Sequence, residues 1–193
     1  MPSAVLIDDP QNLQQQFQAI RSDAEELLAG LSDAQFNWHP SAREWSIAEG
    51  VEHLGVTGRG VLAHLDQVIS NAFARGLLGQ GPFRYRMLER WVVRLAEAPW
   101  RKKFEASKGY VPSSARPYSE VAPSFFAVQE GFLTALLKAE GLDFAKTRVP
   151  NPTTTWFTLS LGPYLAMHAA HERRHLRQAW RVKEDPHFPS VDA

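Results

Sequence analysis

The segment His168-Ala-Ala-His171-Glu-Arg-Arg-His175 carries three of the seven histidines of the chain within eight residues. Offsets of three and four residues stack these side chains on one face of a helix, one turn apart. Tyr164 and Val182 fall on the same face, whereas Arg173 and Arg177 fall on the opposite side. The segment therefore predicts a long amphipathic helix, over about 161–184, whose histidines point into a helical core.

Helical periodicity recurs in four other segments, over about 10–29, 47–74, 83–97 and 118–140. Asp9-Pro10 and the capping box Ser46/Glu49 mark the starts of the first two of these segments, and Ser32/Gln35 form a capping box on a short turn between them. No convincing strand pattern emerges. The sequence therefore predicts an all-α fold, a single domain over 1–193 built as a four-helix bundle. Residues 81–118, a helix followed by a loop rich in Pro and Ser, form an insertion or lid between bundle helices 2 and 3.

The composition narrows the classes of partner. Lys plus Arg and Asp plus Glu both number 21, so no net charge would gather nucleic acid or an anionic membrane. The N-terminus does not resemble a signal peptide, and no apolar run approaches the ~20 residues that span a bilayer. The chain has no cysteine, which excludes disulfides, thiolate ligands and a thiol nucleophile of its own. We expect a cytoplasmic protein that binds a small molecule, with neither nucleic acid nor membrane as a partner.

Three inward imidazoles in one segment favour a metal site, since imidazole is the commonest protein ligand for zinc, nickel, copper and iron. The segment also contains H-E-x-x-H, the signature of zinc proteases. Its extended form needs a glycine and then a histidine downstream, where this chain has Gln178 and Arg181. Only 18 of the 193 residues follow His175, and no sheet is predicted that could align a peptide. A protease is therefore disfavoured.

A third ligand must come from outside the helix, because one helix offers only His171 and His175 to a single ion. The upstream candidates are His39, His53 and His64. The last two are eleven residues apart, about 16 Å along a helix, so only one of them can join a given site. Periodicity places both at the margin of an apolar face and does not choose between them.

The motifs Trp45-Ser46-Ile47, Glu52-His53-Leu54 and His171-x-x-x-His175, with Gln178 one turn later, resemble the DinB/YfiT-like superfamily. The resemblance covers about 10–80 and 118–189. It implies a four-helix bundle in which His53, His171 and His175 bind a metal. Gln178 is expected to support the ligands from behind. His168 is a departure from the family pattern, and a supporting role is favoured for it over a substrate contact or an ordinary core position. Residues 81–118 look longer than a minimal connection of that family.

The resemblance also implies a chemistry. Characterised members include metal-dependent transferases that use a low-molecular-weight thiol, so the thiol would arrive as cosubstrate. Zinc or nickel is favoured as the metal, with iron or manganese as alternatives. Glu172 and Tyr164 are candidates for catalysis, positioning substrate or moving a proton. A hydrolase that activates water, a non-catalytic bundle with a vestigial site, and a homodimer remain open.

Overall fold

A computed structural model describes residues 9–97, 115–151 and 154–190 of the chain. It contains six helices and a two-stranded antiparallel sheet within those ranges. The elements are α1 (Pro10–Leu28), α2 (Asp33–Phe36), α3 (Ile47–Ala74), α4 (Met87–Glu97), α5 (Tyr118–Lys138), β1 (Arg148–Asn151), β2 (Thr154–Ser160) and α6 (Leu161–Lys183). The expected all-α bundle is confirmed, and none of the described helices is long and apolar enough to cross a membrane.

Local side-chain chemistry sets where the bundle helices begin and end. Asp9 caps α1, its side chain accepting a hydrogen bond from a backbone N–H of the first turn. Ser46 and Glu49 form the predicted capping box at the start of α3. Gly30 and Gly141, which follow α1 and α5, adopt φ values of +71° and +86°. A residue in this left-handed backbone conformation ends a helix, and glycine adopts the conformation at little energetic cost.

Helices α1 and α6 run parallel and side by side. Arg173 donates to Gln16 at 3.0 Å, and one to two turns further along both helices Trp180 donates to Asp23 at 2.8 Å. Residue numbers therefore rise in the same direction along both helices, which makes the pair parallel. Since α1 is first and α6 last of the four bundle helices, the chain begins and ends the bundle with neighbouring parallel helices.

Helices α3 and α5 form the second parallel pair. Arg59 donates to Ser124 at 2.6 Å near one end, and Lys138 pairs with Asp66 at 2.9 Å near the other. Parallel neighbours cannot be joined by a tight turn, because the chain must return the full length of the bundle between them. The long segment between α3 and α5 is therefore a crossover that the topology requires.

Helix α4 lies in this crossover and packs against α6. The sequence predicts a helix from Phe83, but α4 begins at Met87. Phe83 and Tyr85 are buried while Arg84 and the next arginine are exposed, an alternation of period two that belongs to extended chain. Part of the expected lid, 98–114, lies outside the described residues, so a lid stays a prediction.

A short hairpin, β1–β2, precedes α6, where the sequence predicts a loop with only a short extended piece over 156–158. Val149 and Leu159 pair across it and are buried. Glu89 on α4 accepts hydrogen bonds from Arg148 at 2.7 Å and from the Ser160 backbone at 2.8 Å. An isolated two-stranded hairpin is marginally stable, so tertiary contacts such as these hold it. Long-range anchoring of this kind leaves no strand period in the sequence.

Close packing of α3 on α5 depends on small residues. A Cβ at Gly58 would overlap Val128 of α5, whereas a Cβ at Gly60 would meet nothing within 4 Å. We expect Gly58→Ala to destabilise the fold by about 1–3 kcal/mol through overpacking. Gly60→Ala, its control on the same helix, should be neutral or stabilise by up to about 1 kcal/mol, since alanine favours helix. Urea unfolding of both variants checks this, and equal stabilities would contradict the close approach.

Candidate metal centre

The capping box at Ser46 places His53 about two turns into α3, on the side that faces α6. His53 is buried, at 5% exposure. His64, the competing candidate on the same helix, is exposed, and His39 lies exposed in the preceding loop. Of the three upstream histidines, the fold therefore brings only His53 to the histidines of α6.

The side chains of His53, His171 and His175 converge between α3 and α6. One potential ligand atom from each lies within 4.8 Å of the other two. Their ring centroids are 4.6–5.3 Å apart, and the Nε2 atoms of His53 and His171 are separated by 3.3 Å. Among the described residues this is the group of three or more His, Cys, Asp or Glu side chains that could hold a metal ion.

The donor set fits a divalent cation. In a tetrahedral site with metal–nitrogen bonds of about 2.0–2.1 Å, two ligand nitrogens lie about 3.3 Å apart. The separation between His53 and His171 matches that value. Nδ1 of His175 is buried and has no hydrogen-bond partner among the described residues. Burying this nitrogen without a hydrogen-bond partner costs free energy, and coordination of a metal ion would offset that cost.

Electrostatics keep the imidazoles in the form that binds metal. Burial, and then the neighbouring imidazoles, lower the pKa of His171 to about 2. Burial, and then His53, lower the pKa of His175 to about 3. Both rings are therefore neutral at pH 7 and keep a nitrogen lone pair free for a cation.

Trp45 covers one side of the cluster. Its ring stacks on His175 at 5.7 Å between centroids and lies 5.1 Å from His53. Because Trp45 directly precedes the N-cap of α3, the capping box that starts the helix also fixes the indole. An aromatic wall of this kind restricts access of water to the histidines.

The residues expected to support the ligands lie one turn to either side of them. Interaction with Gln178 acts against the lowering of the pKa of His175. Burial lowers the pKa of His168 to about 4. Its ring packs edge-on against Tyr164, at 4.8 Å between centroids. Tyr164 is buried at 5% exposure, so His168 and Tyr164 form a pair on the same side of α6.

Glu172 enters the apolar core on the side of α6 that faces α5. It accepts a hydrogen bond from Gln129 Nε2 at 3.2 Å, and both residues are buried. Burial raises the pKa of Glu172 to about 8. Gln129 was not predicted from the sequence. Its signal is that a polar residue interrupts the apolar face of α5 between Phe125 and Phe132.

Arg173 docks the next side of α6 onto α1 and α4. Its guanidinium contacts both carboxylate oxygens of Glu97, at 3.0 and 2.6 Å, and also donates to Gln16. Consecutive helical residues point about 100° apart. The side chain of His171 therefore faces α3, that of Glu172 faces α5, and that of Arg173 faces α1 and α4. Together these three consecutive residues anchor α6 to its neighbours. The sequence did not predict the partnership of α4 in this arrangement.

Comparison with known proteins identifies the family of the chain. The sequence model of the DinB superfamily matches residues 16–179. The chain belongs to the DinB superfamily. It is 26% identical over 175 residues to the uncharacterized protein YuaE of Bacillus subtilis (strain 168), covering 87% of this chain and 95% of that protein. No solved structure matches the chain significantly. The family expected from the histidine and tryptophan motifs is thus confirmed for this DinB-superfamily chain.

Proposed function

We propose that this DinB-superfamily protein is a divalent-metal-dependent enzyme, with His53, His171 and His175 as ligands. The observation that carries the proposal is the convergence of three imidazoles from two helices, each with a potential ligand atom within 4.8 Å of the other two. Three neutral ligands from the protein leave coordination positions for substrate, which is the arrangement of catalytic sites. Zinc or nickel suits this set best, with iron or manganese as alternatives.

The reaction we propose is transfer of a low-molecular-weight thiol to an electrophile. When bound, the metal supplies Lewis acidity and lowers the pKa of a thiol or of water. The sulfur forms a bond to the electrophilic carbon, the leaving group departs with the bonding pair, and the thiol proton is released. The chain has no cysteine, so the sulfur comes with the cosubstrate. Trp45 would keep water from this reaction.

Glu172 and Tyr164 are the candidate catalytic residues within this proposal. Glu172 directly follows a ligand, and its raised pKa favours the protonated form near pH 7. Tyr164 is buried two turns before His171, beside His168. We propose that Tyr164 holds or moves a proton near the reacting group, and that Glu172, whose carboxyl turns toward α5, acts on that group through the adjacent ligand His171. His168 and Gln178 would support the ligands. A homodimer and a cytoplasmic location stay predictions.

Thiol conjugation can be measured directly on untagged protein loaded with Zn²⁺ or Ni²⁺. With 2-mercaptoethanol and 1-chloro-2,4-dinitrobenzene, we expect a thioether product, chloride release and dependence on the metal. The His171→Ala variant should return the rate to the uncatalysed background. Hydrolysis of a p-nitrophenyl ester without thiol conjugation would favour the hydrolase instead. Absence of both activities in metal-loaded protein would favour a non-catalytic bundle.

A further inference from the structure

Arg174 lies beside the three-histidine cluster without a charge partner. It is half-buried, and in the described part of the chain it forms neither a hydrogen bond nor an ion pair. Burial, followed by repulsion from Arg177, lowers its pKa. None of its nitrogens is among the described buried side-chain atoms that lack a partner, so the guanidinium remains within reach of solvent. Its N–H donors are therefore available to an anionic ligand that enters from solvent.

The position of Arg174 connects it with the metal centre. It lies three residues after His171, one turn along α6, so these two side chains leave the helix as neighbours. The guanidinium is therefore carried beside one of the three proposed ligands.

The nearby carboxylates are committed elsewhere. Glu97 is held by both arms of Arg173, and Glu52 pairs with Arg116 at 3.0 Å. Glu172, the carboxyl group closest in sequence, turns toward α5. A divalent ion on three neutral imidazoles would add further positive charge that none of these groups balances. The site therefore selects for negative charge.

We infer that Arg174 is the anion-binding residue of this site and recognises a carboxylate on the reactant that occupies the metal centre. The inference rests on the proposed function, because it takes the three histidines as the reacting centre. A planar guanidinium matches the two oxygens of a carboxylate. A reactant with a thiol and a carboxylate a few bonds apart can then reach the metal and Arg174 together.

Matched thiols test the inference on the Co²⁺-loaded protein, where thiolate binding is followed by its near-ultraviolet absorption. The wild type should bind 3-mercaptopropionate about 10–100-fold more tightly than 3-mercaptopropionamide, the value of a hydrogen-bonded charge pair. Arg174→Met should abolish that preference, so that the acid and the amide bind with equal affinity. Arg174→Lys should keep part of the preference. Arg181→Met, an exposed arginine on the same helix, is the control and should keep all of it.

Two further arms locate the carboxylate and separate this inference from the proposed function. Propionate that binds alongside 2-mercaptoethanol, and does so less well in Arg174→Met, assigns the carboxylate to the second reactant. Propionate that competes only with 3-mercaptopropionate assigns the carboxylate to the thiol reactant. Either of these two results supports an anion site at Arg174. Equal affinity for acid and amide in the wild type would overturn it. If the wild type binds no metal, the proposed function fails, while calorimetry of propionate on metal-free wild type and Arg174→Met still decides on Arg174.

Discussion

Each of the variants His53→Ala, His171→Ala and His175→Ala should lower the affinity for Zn²⁺ by at least about 100-fold. Losing a residue that only supports a ligand typically costs 10–100-fold, and losing the ligand itself should cost at least the upper value. The expectation for His53 is the most informative of the three. Its ring lies 118 positions from His171 in sequence, yet their Nε2 atoms are 3.3 Å apart.

Competition with a chromophoric chelator on untagged protein measures these affinities, and elemental analysis gives the stoichiometry, expected to be one ion per chain. His64→Ala is the matched control, because it removes an exposed histidine from the same helix and should leave Zn²⁺ binding unchanged. Circular dichroism should show that all variants remain helical. Stoichiometric metal in His53→Ala with wild-type affinity would contradict the assignment, as would a wild type that takes up no metal from replete medium.

The helices of this chain were predictable from the sequence because their signals are local. The capping boxes at Ser32 and Ser46 form between residues three apart, and the glycine after α5 acts within one turn. Predicted and observed boundaries of α1, α3, α5 and α6 agree within two residues. Pro123 does not shift the start of α5 to a later residue, although it lies at the sixth position, inside the helix and beyond the first turn that normally accommodates proline.

The site was predictable only in part, because its decisive contacts are long-range. The spacing of His171 and His175 shows that they share a face, but His53 and His64 have equivalent places in the pattern of α3. Family resemblance selected His53, and packing of α3 on α6 shows why, since it buries one and leaves the other exposed. No periodicity encodes the partner of Arg173, or the lack of a partner for Arg174 among the residues that the structure describes. These depend on how separate helices pack.

Glu172→Gln should make the metal-free protein more stable at pH 7, by about 3 kcal/mol. Burial raises the pKa of Glu172 from 4.5 to about 8 in the folded state. Between these values the unfolded chain carries the ionised carboxylate and the folded chain the protonated acid. Unfolding then releases a proton, so wild-type stability falls by about 1.4 kcal/mol per pH unit from about pH 4.5 to 8.

The substituted amide is neutral at every pH and removes this dependence. Its carbonyl can still accept from Gln129, and its NH₂ can donate to the Gln129 Oε1 atom, which lacks a partner among the described residues. Urea unfolding of metal-free wild type and variant from pH 5 to 9 measures the difference, which should be small at pH 5 and grow toward pH 8. Glu140→Gln, at an exposed position, should keep the wild-type slope. Identical slopes for wild type and Glu172→Gln would show that Glu172 titrates normally.

The same substitution tests whether the energetic cost of Glu172 is connected with function. A fold that keeps an acid in its core at a cost of several kcal/mol, where glutamine has the same shape, retains the acid for its proton. We therefore expect Glu172→Gln to be more stable and to bind Zn²⁺ normally, but to conjugate thiols more slowly. An unchanged conjugation rate in the stabilised variant would remove Glu172 from the catalytic residues and leave Tyr164 as the candidate.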